Sequence, residues 1–170
     1  MSIIVVEGVH GSGVGNVANK IKLCTGYQVY EYVQEPNSAF LEMEATFAKR
    51  DRFLQLMQDC NMHDVILPRF FMGMATQGIV CGDWPWSTVR RAESLSKALS
   101  DMGAILVLCK PNLSLKTAEK LSEDAEVMRR VRESIHDLMY YNWQGEKYVV
   151  HNYGTTQHML KKLEAKSRKE

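Results

Sequence analysis

A chain of 170 residues, 45% hydrophobic and 24% charged, is the size of one domain and long enough to bury a core without disulfide or metal staples. Its formal charge of +1 lacks the basic excess that nucleic acid or an anionic membrane surface selects, so neither is expected as a partner. Four scattered cysteines, Cys24, Cys60, Cys81 and Cys109, without a C-x-x-C spacing, suit buried free thiols in a reducing cytoplasm better than disulfides or zinc, and no apolar run reaches the length of a membrane span.

The apolar run Ile3 to Val6 leads into a glycine-rich turn and then a segment with helical spacing of Val17, Ala18 and Ile21. The order predicted is strand, loop, helix. Glycines permit positive φ and close backbone approach, and free N–H groups at a helix start favour an anion. Against the pattern G-x-x-x-x-G-K-[ST], Gly8 and Gly13 fall in place, but Val14 stands where the lysine belongs and Gly15 where the hydroxyl belongs. The residues expected to cradle phosphate are Gly8, His10, Gly11, Ser12, Gly13, Val14, Gly15 and Asn16. A dinucleotide fingerprint fails, because it needs glycine at Asn16 or Ala18.

Tyr27 to Val33 alternates as a second strand, stopped by Glu35-Pro36. From Ala39 to about Met74 the apolar spacing is helical, with Pro68 expected to kink or break the last helix. Gly78 to Asp83 is predicted as the next strand, ending in a carboxylate, and Trp84-Pro-Trp-Ser-Thr88 turns into a helix. Ala104 to Cys109 is a buried strand closed by Lys110-Pro111; residues 112–128 are polar and lid-like; Val127 to Met139 is an amphipathic helix. Lys147 to His151 is a last strand, followed by a terminal helix and a charged tail, 165–170, expected to fray. Strands alternating with helices predict one α/β domain over 1–170, a three-layer parallel sheet flanked by helices. Ligands of such sheets lie at the carboxyl ends of the strands.

These features together resemble the thymidylate kinase and deoxynucleoside kinase superfamily of P-loop enzymes, particularly its short viral and phage forms, over nearly the whole chain. Glu7-Gly8-Val-His-Gly11-Ser12-Gly13 is similar to the family's E-G-x-x-G-S-G loop, Glu35-Pro36 to its E-P corner, and Leu56 to His63 with Pro68 and Gly78-Ile-Val-Cys81 to its helix and third strand. Asn152-Tyr-Gly-Thr-Thr156 resembles the segment lining the adenine end. The resemblance implies ATP and Mg²⁺ as cofactors of an active form, a small-molecule nucleotide or a protein as partner, and homodimers paired through helices around Phe40 to Phe71. The expected location is the cytoplasm, that of the host if the source is viral.

The departures share one character. The family's loop lysine and hydroxyl are Val14 and Gly15, the arginine before E-P is Gln34, the helix arginine is Cys60, and the strand-end arginine is aligned with Trp84. Phosphoryl transfer is mostly positioning and electrostatic stabilisation of spread negative charge, so these losses predict a weakly catalytic or non-catalytic pseudokinase. The alternatives are an active deoxynucleoside or nucleoside-monophosphate kinase with displaced charges, and a structural or assembly subunit.

By that resemblance Glu35 is the general base and Asp83 holds Mg²⁺ through water; alone, Glu35 simply caps a neighbouring helix or pairs with an arginine, and Asp83 is the N-cap of the helix from Trp84 onward. Arg90 and Arg91, and Arg130 and Arg132 near the lid, are candidates to replace the lost charge, or form solvated helix faces. Trp84, Trp86 and His63, which shares an i, i+4 spacing with Asp59, are candidates for the substrate pocket, or packing residues.

Overall fold

The β-branched run at the start forms β1 (Ile3–Gly8), buried along its entire length because it is paired on both sides. The computed structural model describes residues 2–9, 11–31, 43–111, 123–151 and 153–168. After β1 come α1 (Val14–Thr25), β2 (Gln28–Val29), α2 (Met43–Asp59), β3 (Val65–Pro68), α3 (Met72–Val80), α4 (Thr88–Asp101), β4 (Ile105–Cys109), α5 (Glu123–Asn142), β5 (Lys147–Val150) and α6 (Tyr153–Ser167). The strands form one parallel sheet in the order β2-β3-β1-β4-β5.

Alternation along β1 builds the three layers. Ile3 and Val5 enter one core with Phe47 and Leu54 of α2, Met72 and Ala75 of α3, Leu95 and Leu99 of α4 and Ile135 of α5. Ile4 and Val6 enter the other, with Val14, Ala18 and Ile21 of α1 and Met159 and Leu163 of α6. The methionines Met57, Met72 and Met74 are buried filler of the first core.

The third strand differs from the expectation. It is Val65–Pro68, and the run read as a strand, Gly78 to Asp83, is the last turn of α3 followed by a turn. Short apolar runs do not by themselves separate a buried strand from a buried helix. Here packing decides: Gly78 lies against the Trp84 ring, which a Cβ at that position would overlap. Pro68 ends the strand instead of kinking a helix. The β2 pairing reaches only Val65 and Ile66, so its missing N–H breaks no ladder bond there.

The described part of the second strand is two residues long, while residues 32–42 lie outside the described residues. Helix α6 continues to Ser167, through part of the tail expected to fray. Cys60 and Cys81 are exposed, Cys24 is half-buried, and only Cys109 is fully buried; all four are free. No described helix is long and apolar enough to cross a membrane.

Candidate functional site

The crevice at the carboxyl ends of β1, β3 and β4 is built on the loop from Gly8 to α1. Gly11 and Gly13 both adopt left-handed backbone, with φ 81° and 80°, which non-glycine residues pay to enter. A tight turn is closed by the Ser12 N–H donating to Val9 O at 3.1 Å. Gly8 lacks a side chain for a spatial reason: a Cβ would meet the Ser12 hydroxyl and stand 2.5 Å from the Cys109 carbonyl oxygen of β4.

Gly13 caps α1 with no side-chain hydrogen bond. The first helical bond is donated by Val17 to Gly13 O at 3.0 Å, so the amides of Val14, Gly15 and Asn16 precede it and are left for a ligand or water. The Ser12 hydroxyl oxygen is buried with no hydrogen-bond partner. Val14, which the sequence pattern sets against the P-loop lysine, is 1% exposed and packed in the apolar core under α1. Gly15 is exposed, and a Cβ there would touch nothing within 4 Å. His10 lies outside the described residues, as does Glu35.

Two residues that the sequence reading passed over join this loop. Glu7, one residue before Gly8, is fully buried and accepts the N–H groups of Phe71 at 2.7 Å, Met72 at 3.2 Å and Gly73 at 3.4 Å. Burial pushes its carboxyl up to about 7, against the lowering effect of those amides. An acid inside an otherwise apolar strand was the available signal, since buried carboxylates need partners. The other is Arg69, exposed at the end of β3 and left-handed at φ 53°, whose N–H donates to Val6 O at 2.9 Å. Because β3 ends at Pro68, the strand end carries an arginine after all; the alignment of that position with Trp84 is corrected.

Beside the loop, Val9, Cys109, Lys110, Pro111, Glu133, His136 and Asp137 line an open cleft of about 190 Å³. Lys110 pairs with Asp137 at 2.6 Å. His136 is 3% exposed, neither ring nitrogen has a partner, and burial lowers its pKa to about 4. Since His136 stands level with the end of β4, Arg130 and Arg132 lie about 6–9 Å further toward the crevice side at 1.5 Å per residue. Arg130 is exposed; Arg132 is half-buried, with its Nε buried and unpartnered.

The remaining sequence candidates sit elsewhere. Arg91 is engaged by Asp51 and, at 3.5 Å, Glu44 of α2, and lies 5.4 Å from the Phe47 ring centroid; Arg90 beside it is exposed. Trp84 is buried, tilted against Phe47 at 5.9 Å, which makes it core rather than a stacking surface. Trp86 is 62% exposed in the turn before α4. His63 precedes β3 at the amino edge of the sheet, six residues before Arg69 and so roughly 20 Å from the crevice along an extended chain. Helix α2 ends at Asp59, so the two do not share a helix face; His63 Nδ1 lies 2.6 Å from Asn61 O. Asp83 is exposed in the turn beyond α3, separated from the strand end by that whole helix.

Uncapped amides, two left-handed glycines and an orphaned buried hydroxyl fit a phosphate group. Among the described residues the donors for Mg²⁺ do not fit. Gly15 has no hydroxyl, Pro68 no carboxylate, Glu7 is committed to three amides, and Asp83 stands beyond α3. Among the described residues no group of three or more His, Cys, Asp or Glu side chains is placed to hold a metal.

No protein-family model matches the chain, and no curated protein matches it in sequence. Solved structures do match in shape. YorR protein from Bacillus subtilis, in complex with phosphorylated GDP, superposes with a TM-score of 0.61 at 15% identity, over 99% of this chain and 98% of that one. Deoxyadenosine kinase from M. mycoides with bound dCTP gives 0.52 at 14% identity, over 97% and 100%. A polyphosphate kinase 2 structure from Pseudomonas aeruginosa gives 0.64 at 14% identity over 98% of this chain, which spans only 39% of that protein. At such identities the likeness speaks for architecture: a five-stranded parallel sheet flanked by helices, the fold of the P-loop nucleotide kinases.

Proposed function

We propose that this chain binds a phosphorylated small molecule, a nucleotide or nucleoside monophosphate, in the crevice above Gly8 to Asn16, and transfers phosphoryl groups weakly or not at all. The observation that carries this reading is Val14. Its side chain belongs to the core under α1, and Gly15 adds none, so among the described loop residues a ligand meets backbone dipoles and no cation. Such dipoles contribute about 0.3–1 kcal/mol at an exposed helix end, whereas one cationic clamp on the transferring group changes rates by about 10³–10⁵. The proposed location is the cytoplasm, and the proposed partners are the nucleotide, a protein or a second copy of the chain.

A second reading, an active kinase with displaced charges, draws on Arg69 at the end of β3 and on Arg130 and Arg132 beyond the sheet edge. In it Glu35 would serve as base and the arginines would replace the loop lysine. Incubation with Mg-ATP and a panel of deoxynucleosides and monophosphates separates the two. We expect no product above background, together with thermal stabilisation by at least one monophosphate, because a ligand bound only to the folded state raises the melting point. Turnover lost in Glu35→Gln would establish the second reading instead.

A further inference from the structure

We infer that the loop takes its anion without a divalent metal and prefers a single phosphate to a triphosphate. This rests on the proposed binding function and departs from what the fold implies. Among the described loop residues the donors that face the seat are neutral, the uncapped amides of Val14, Gly15 and Asn16. The position where P-loop NTPases place the Mg²⁺-ligating hydroxyl is Gly15, and open space surrounds it. The described carboxylates nearest the strand ends are occupied, Glu7 by three amides and Asp137 by Lys110.

Charge then sets the preference. A phosphate monoester carries about two negative charges at neutral pH, a load nearer to what the amide dipoles and Arg69 at the β3 end supply than the charge of a triphosphate is. A triphosphate brings more charge than this set can neutralise, and with neither lysine nor metal the excess stays unpaired in a partly desolvated crevice. That is costly. Among the described residues Mg²⁺ therefore has no protein donor through which to tighten binding.

The test is calorimetric titration of the full chain with inorganic phosphate, a nucleoside monophosphate and ATP, each with Mg²⁺ and with EDTA. Support is saturable binding of phosphate or monophosphate that is unchanged by Mg²⁺, with ATP weaker under both conditions. ATP affinity rising by about tenfold or more on adding Mg²⁺ would overturn the inference while leaving nucleotide binding intact. No binding by any of the three would overturn both. Gly15→Thr supplies the missing hydroxyl in free space and serves as the internal control: Mg²⁺ dependence of ATP binding is expected to appear in the variant. Equal Mg²⁺ dependence in the variant and the unaltered protein would also count against the inference.

Discussion

The carboxylate of Glu7, on the central strand, accepts the backbone N–H of Phe71 at 2.7 Å, 64 residues away, at the N-terminal boundary of α3. One side chain thereby ties the root of the glycine loop to the segment that carries Arg69. It caps α3 as an aspartate would, but from another element, and its charge faces the positive end of the helix.

That relationship fixes a pH dependence. With its pKa raised to about 7 in the fold from 4.5, Glu7 binds more protons folded than unfolded between those values. Its contribution is complete below pH 4.5 and is lost as pH rises to about 7, about 3 kcal/mol over the window. His136, lowered to about 4 from 6.5, works in the opposite sense: its contribution is complete above 6.5 and is lost as pH falls toward 4. The two slopes oppose each other between pH 4.5 and 6.5. Chemical denaturation across this range should show a flat region in the unaltered protein, and Glu7→Gln should convert it to stability rising with pH.

His136→Leu supplies the complementary measurement. Both ring nitrogens are buried without partners, so an apolar replacement of similar size removes an uncompensated desolvation cost. We expect stabilisation of about 1 kcal/mol at neutral pH, a larger gain at pH 5, and stability that falls with pH as Glu7 alone is titrated. Destabilisation at both pH values would show that the imidazole is paired in solution.

Two glycines of α3 should respond in opposite directions. Gly73→Ala meets no atom within 4 Å and gains helix propensity, by about 0.5–1 kcal/mol. Gly78→Ala places its methyl inside the Trp84 ring and should cost about 1–3 kcal/mol by overpacking. Urea midpoints of the two variants decide the matter, and Trp84 fluorescence should shift only in the second.

Arg69→Gly separates stability from ligand binding. Relief of the left-handed φ of 53° should stabilise the fold by about 1 kcal/mol, since the backbone bond to Val6 is kept. Removal of the guanidinium should weaken phosphate binding. A variant that is more stable and binds phosphate as tightly as before would remove Arg69 from the site.

Restoring the loop, with Val14→Lys and Gly15→Thr together, should strengthen triphosphate binding in the presence of Mg²⁺ while lowering the melting point without ligand. Val14 is 1% exposed among apolar neighbours, and an ammonium there must be desolvated or reach back over the loop. Calorimetry and a thermal melt on the same sample read both effects.

Sequence alone determined the strand-loop-helix opening, β4, β5 and most of α5, because each carries its own signal. A β-branched run ends at glycine, an apolar run ends at Lys110-Pro111, and Val127 to Met139 repeats at helical spacing. The layered α/β architecture followed from their alternation. Tertiary structure decided where local pattern is ambiguous or silent. Val65–Pro68 and Gly78 to Cys81 are both four-residue apolar runs, and only pairing with β1 and the ring of Trp84 assign one to strand and the other to helix. That assignment moved the strand end from Trp84 to Arg69, and with it the charge of the crevice. Glu7 and His136 likewise became legible only once folded, because desolvation is a property of the neighbours that burial brings together, not of the residue.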